Sequence, residues 1–160
     1  MRLYGPRTNI LKRKKKIMPK YPKHFDLEEF LTSSTARQKS IENMPSWEII
    51  EHLLELAAFL DDLREDWGSG IKVSSGFRIE ALNKAVGGSE TSVHKIGYAA
   101  DIVPANGKYE AFVRFLKEWL KDKDFDQCIE EKKGKTRWIH IGLYNNKHQQ
   151  RKMFFNITMK

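Results

Sequence analysis

The segment Ser92-Val93-His94-Lys95-Ile96-Gly97-Tyr98-Ala99-Ala100-Asp101 constrains this chain more than any other. It sets an imidazole and a carboxylate seven residues apart, with a glycine between them. On an unbroken helix such residues stand about 10 Å apart along the axis. Two ligands of one zinc ion each lie about 2.0–2.2 Å from it, so their donor atoms nearly touch. A shared ion therefore requires the chain to reverse between His94 and Asp101, and Gly97 can take the positive φ that such a reversal often needs. Tyr98 to Val103 then reads as a short strand ended by Pro104, with Asp101 on the face of Ala99 and Val103. Taken alone, one histidine near one aspartate is more often a hydrogen-bonded pair than a metal site. Trp138-Ile139-His140-Ile141-Gly142 adds a further histidine on another apparent strand. Two histidines, one carboxylate and a position open to water make up a catalytic zinc site.

The chain has 160 residues, enough for one well-buried core, and one domain is expected. Its net charge of +8 is unevenly placed. Eight of the 29 basic residues fall within residues 1–20, which hold no acid, so the rest of the chain is formally neutral. Residues 1–23 are predicted to form a flexible basic arm, because the block Lys12-Arg13-Lys14-Lys15-Lys16 repels itself. Residues 24–160 are predicted to form the folded domain. The arm either attracts a polyanion or serves as a solvated tail. No apolar run reaches the roughly 18 residues of a membrane span. The N-terminus lacks the apolar segment and cleavage site of a Sec-type signal, so synthesis in the cytoplasm is expected. Cys128 is the only cysteine, which excludes an intrachain disulfide and a Cys-rich zinc site.

Along the chain, residues 25–40 suggest a short helix or turn whose aromatics plug the core, with a break at Ser33-Ser34-Thr35. Ser46 to Trp67 is strongly helical. Its stripe reads Trp47, Ile50, Leu53, Leu54, Ala57, Leu60 and Leu63, and His52 falls off it as a solvated side chain. Pro45-Ser46 is the start signal and Gly68-Ser69-Gly70 the stop. A strand over 71–74, a short helix over 79–86 and a loop over 89–97 follow. After the Asp101 strand come a helix from Tyr109 to Leu120 and a strand over 126–131. A turn over 132–136 and a strand over 137–142 complete a β-hairpin. Residues 144–151 read as polar loop and 153–159 as a last strand. The expected fold is α+β: a single domain with a small antiparallel sheet carrying the zinc site and flanking helices.

Ser75-Gly76-Phe77-Arg78, Leu82-Asn83, Val86-Gly87-Gly88-Ser89, Ser92-x-His94-x-x-Gly97-x-Ala99-Ala100-Asp101, Asp126-Gln127 with Glu131, and Trp138-x-His140 follow one another in this order. The combination resembles the zinc D-alanyl-D-alanine peptidases: wall-peptide carboxypeptidases, the dipeptidases of vancomycin resistance and many phage lysins. It is closest to the short phage-type members and extends over about residues 25–145. The resemblance implies a DD-peptidase/hedgehog-like domain. It also implies one zinc ion per chain on His94, Asp101 and His140, and peptidoglycan stem peptides as substrate.

A hydrolase of this kind needs a base for the attacking water. Many relatives carry Glu three residues before the last histidine, where this chain has Arg137, which cannot serve. The phage-type pattern instead puts the acid on the preceding strand, at Glu131. Hairpin geometry separates Glu131 from Glu130. With Gly134-Lys135 at the tip, Glu131 opposes Trp138 and shares a face with it and with His140, while Glu130 points the other way. A one-residue slip would exchange them.

Arg78 is planar and permanently charged, suited to a substrate carboxylate or a developing oxyanion; the alternative is a surface ion pair with Glu80. Ser92 is expected to bind substrate or shape its loop, and Trp138 to wall the cleft or pack. Asn83 and Gly87-Gly88 read as structural, and Cys128 as a core thiol.

The leading expectation is a zinc peptidase of the D-Ala-D-Ala carboxypeptidase or L-Ala-D-Glu endopeptidase type. It would act at the cell wall as a phage or prophage lysin or a bacterial wall enzyme, or be virion-associated. The arm offers contacts to an anionic wall polymer or a membrane surface. A virion or wall-binding protein with weak or no catalysis is the alternative, motivated by Arg137 and by the basic arm. Nucleic acid is the third reading, and it would rest on residues 1–20 alone.

Overall fold

The computed structural model describes residues 21–159; the basic block Lys12–Lys16 lies outside them. The elements in chain order are a 3₁₀ turn (Leu27–Phe30), α1 (Ser34–Gln38), α2 (Trp47–Trp67), β1 (Ile71–Ser75) and α3 (Glu80–Ala85). There follow a 3₁₀ turn (Val93–Ile96), β2 (Ala99–Pro104), α4 (Tyr109–Trp119) and a 3₁₀ turn (Leu120–Asp122). The hairpin strands β3 (Gln127–Lys133) and β4 (Thr136–Gly142) and the last strand β5 (Met153–Met159) complete the domain.

One five-stranded sheet runs in the order β1-β2-β4-β3-β5. It is antiparallel except at one edge, where β5 lies parallel to β3. The expected small antiparallel sheet is present, with this one parallel edge added to it. A strand returning alongside β3 after the β4 hairpin has room for the crossover that a parallel pair needs. Asp126 fixes that crossover. It is fully buried and receives Arg151 Nε and Nη2 at 2.6 and 2.9 Å.

α2 begins and ends on the expected signals. Ser46 Oγ accepts the Ile49 N–H, and Gly68 closes the helix in the left-handed region. Its buried face differs from the expected stripe: Leu53, Leu56, Ala57, Leu60 and Leu63 are inside, Ile50 and Leu54 sit at the margin, and Trp47 is 84% exposed. Trp47 is the first helical residue, at the end of the helix. The expected break at 33–35 is likewise the start of a helix, with Ser33 Oγ capping Ala36 N–H at 3.2 Å. Phe25 and Phe30 do plug the core.

α2 and α4 meet through aromatic contacts, Trp67 against Phe112 at 5.1 Å and Phe59 against Trp119 at 5.2 Å. The fully buried Ile102, Ile139, Ile141 and Cys128 supply the core side of the sheet. Alternation sends their neighbours Asp101, His140 and Ile129 to the opposite face. Pro104 is the last residue of β2 rather than the residue after it, opposite Ile71. β4 pairs only as far as Ile102, so no ladder bond is lost at the proline. At the start of the described chain, Pro22 is buried and the backbone N–H groups of Lys23 and His24 donate to Asp61 on α2. Among the described residues no helix is long and apolar enough to cross a membrane.

Candidate metal centre

Asp101 and His140 occupy directly opposed positions on β2 and β4. His94 reaches them from the 3₁₀ turn, which Gly97 closes at φ +79°. Glycine is required twice over here: a Cβ on Gly97 would also stand 2.9 Å from the Ile49 side chain of α2. His94 Nε2 lies 3.1 Å from His140 Nδ1 and 3.2 Å from Asp101 Oδ1, and the third side of the triangle is 3.3 Å. All three residues are buried.

The other polar atoms of His94 and Asp101 are already engaged. His94 Nδ1 faces the Gly76 carbonyl at 2.7 Å. A carbonyl only accepts, so Nδ1 carries the proton and Nε2 presents its lone pair to the centre. Asp101 Oδ2 accepts from Arg78 Nη2 at 3.0 Å, leaving Oδ1 for the centre. Donors held at about 2.0–2.2 Å around a tetrahedral ion stand about 3.3–3.6 Å apart, close to the observed triangle. The site thus fits a divalent metal, with the far sides of His94 and Asp101 fixed by partners of the kind that orient metal ligands. Burial lowers the His94 pKa, against the opposing pull of Asp101. Burial alone would raise that of Asp101, but the imidazoles beside it hold its carboxyl well below the usual range.

A bulge at Ser74 completes this face. Val73 pairs with Ile102 and Ser75 with Asp101, so one extra residue is accommodated between them. The extra residue turns Ser75 towards the site, where its Oγ accepts Arg78 Nε at 3.0 Å. Arg78 is therefore held by Ser75 and Asp101; Glu80 instead pairs with Lys84 and Lys95. Asn43 positions the same loop, accepting the Ile79 N–H and donating to the Leu31 and Phe77 carbonyls.

A cleft of about 930 Å³ opens over the trio and is lined by Arg78, Ser92, Glu131 and Trp138. The hairpin register is as expected: Glu131 opposes Trp138, and Ile129 opposes His140. Glu130 takes the other face, beside Lys117 of α4 at 3.4 Å. Burial, then the Asp101 charge, raises the Glu131 pKa. Arg137 also lies on the helix side, paired with Glu110 and stacked on Tyr109. Three residues before His140 in this regular strand, Arg137 has the opposite parity and faces away from the cleft.

Asn83 is buried and binds the Ser89 carbonyl, shaping the loop before His94. Cys128 is a core thiol whose pKa burial pushes up. His52 departs from expectation. It is half-buried, stacked on Tyr98 with ring centres 4.0 Å apart, and bonded to the Ile96 carbonyl. Neither Asn43 nor His52 carries a sequence signal, because each acts on backbone brought close only by the fold.

An α+β domain with a buried His/Asp/His trio at the floor of a polar cleft has the makings of a metal-dependent hydrolase. A family model described as Peptidase M15 matches residues 23–142, most of the chain, and the chain belongs to that family of zinc-dependent metallopeptidases. No curated protein matches it.

Proposed function

We propose that the protein hydrolyses peptide bonds in peptidoglycan stem peptides, at a D-Ala-D-Ala or an L-Ala-D-Glu bond, as a phage or prophage lysin or a wall-remodelling enzyme. The observation that carries this reading is the 3.1–3.3 Å triangle of His94, Asp101 and His140 with Glu131 lining the same cleft. The motif order of the sequence supports the substrate class.

His94, Asp101 and His140 would hold one zinc ion. Bound there, zinc would polarise the scissile carbonyl and make a water acidic enough to attack near neutral pH. Glu131 takes the proton of the attacking water on a carboxylate oxygen and returns it to the leaving amine nitrogen. Its raised pKa suits a group that must both accept and release a proton. Arg78 orients Asp101 through Oδ2, and its remaining N–H donors are available to a substrate carboxylate or the developing oxyanion. Ser92 and Trp138 flank the bound peptide.

Because Glu131 lines the cleft, the departure at Arg137 does not by itself favour the non-catalytic wall-binding alternative. The basic arm serves to concentrate the enzyme on an anionic wall polymer or membrane surface. A chain beginning at Tyr21 should keep turnover of a soluble stem peptide and lose activity on intact walls. The function itself is tested by incubating the zinc-loaded protein with a purified stem peptide and identifying the cleaved bond by mass. Absence of any cleavage, with zinc bound, would count against hydrolysis of this substrate.

A further inference from the structure

The His94 turn rests on the first half of α2, and one residue there contacts it through a directed bond. His52 Nδ1 lies 2.7 Å from the carbonyl of Ile96, the last residue of the turn. That carbonyl can only accept, so Nδ1 carries the proton and donates. The ring stacks on Tyr98, the residue that leads into β2 and so towards Asp101. One helical turn further on, Glu55 receives the Tyr98 hydroxyl at 3.1 Å. One turn earlier, Ile49 packs where Gly97 lacks a side chain. Ile49, His52 and Glu55 stand at three-residue spacing, so one face of α2 grips the segment joining two members of the trio.

We propose that His52 is a positioning residue for the metal centre: by fixing the Ile96 carbonyl, it sets where His94 stands relative to Asp101 and His140. This rests on the metal-centre reading above. His94 has its ring held by the Gly76 carbonyl, and its own carbonyl accepts the Arg78 N–H at 3.1 Å; the exit of its four-residue 3₁₀ turn, at Ile96, is tied by His52. A turn that short does not hold its place unaided. The bond from His52 supplies a fixed point two residues from His94. Donor atoms placed to within tenths of an ångström hold a metal longer than loosely placed ones.

The bond and the stack can be separated. His52→Asn places an amide N–H where Nδ1 stands and removes the ring; His52→Phe keeps a stacking ring and removes the donor. The measurement is the rate of zinc release to a chelator from the full chain, with the melting temperature of the metal-free protein taken alongside. His52→Phe should release zinc about tenfold faster or more, the lower end of the effect of losing a ligand-orienting partner. His52→Asn should stay within about threefold of the natural protein. Equal release from His52→Phe and the natural protein overturns the inference while leaving the metal centre standing. Equal acceleration in both variants, matched by equal loss of metal-free melting temperature, also overturns it, because the ring would then be packing alone. Failure of the natural protein to bind zinc overturns the metal centre and this inference together.

Discussion

Asp101 divides its two carboxylate oxygens between opposite tasks: Oδ2 takes Arg78 Nη2 at 3.0 Å, and Oδ1 faces His140 Nδ1 at 3.3 Å. One side chain therefore ties a fixed positive charge to the centre that would hold a second one. Asp101→Asn removes the anionic donor and leaves the Arg78 guanidinium short of its partner. Zinc content should fall well below one per chain, and the metal-free protein should lose up to about 3 kcal/mol, less than a fully buried pair because the cleft admits water. Adding Arg78→Met should recover part of the stability but none of the zinc. Thermal unfolding and metal analysis of the single and double variants check this; full zinc retention in Asp101→Asn would remove the residue from the centre.

Gly76 is confined between two neighbours. Its carbonyl accepts from His94, and a Cβ at this position would stand 2.4 Å from the Phe30 carbonyl oxygen, which itself receives the Phe77 N–H. Neither backbone can yield without breaking a bond. Gly76→Ala should cost about 1–3 kcal/mol, as overpacking typically does, and should speed zinc release, because the strain moves the acceptor of His94. A melting curve and a chelator assay test both parts. An unchanged melting temperature would show that the Phe30 segment is free to move.

Acid should loosen the centre in a defined order. His94 has a folded pKa below the usual value near 6.5, so the unfolded chain binds its proton more readily. The stability this contributes is complete above about pH 6.5 and is lost as pH falls below that value through the lower folded pKa. Asp101 is also held below its usual value, and its contribution is lost only below about pH 4. The metal-free protein should thus melt at a lower temperature at pH 5 than at pH 7.5, and His94→Gln should flatten that difference. Equal slopes in the two proteins would contradict the assignment to His94.

How much of this was legible beforehand depends on whether the signal is local. The reversal at Gly97 and the hairpin register at Gly134-Lys135 are set by neighbouring residues, so the approach of His94 to Asp101 and the facing of Glu131 could be read from spacing and alternation. Residues that act across the fold could not. The Ser74 bulge changes which face Ser75 occupies, and nothing in Ile71-Lys72-Val73-Ser74-Ser75 marks an extra residue. The core face of α2 turned towards Leu56 and away from Trp47, because the sheet rather than the periodicity decides which edge of a broad apolar stripe is covered. His52, off that stripe, reads as solvated, because its partners lie more than 40 residues away. The parallel edge made by β5 depends on Arg151 finding Asp126, a pairing that local pattern does not contain.

Glu131, not Glu130 or a residue at position 137, is proposed to handle the proton in a metal-dependent hydrolysis. The two glutamates are adjacent, yet Glu131 lines the cleft and Glu130 meets Lys117 on the helix side. Turnover of a soluble stem peptide by Glu131→Gln and Glu130→Gln, with zinc content determined on the same samples, tests this most directly. The expected result is a loss of about 10²–10⁴-fold in Glu131→Gln with zinc retained, the usual effect of removing a positioned acid–base group, and near-natural turnover in Glu130→Gln. Natural turnover in zinc-loaded Glu131→Gln would contradict the claim.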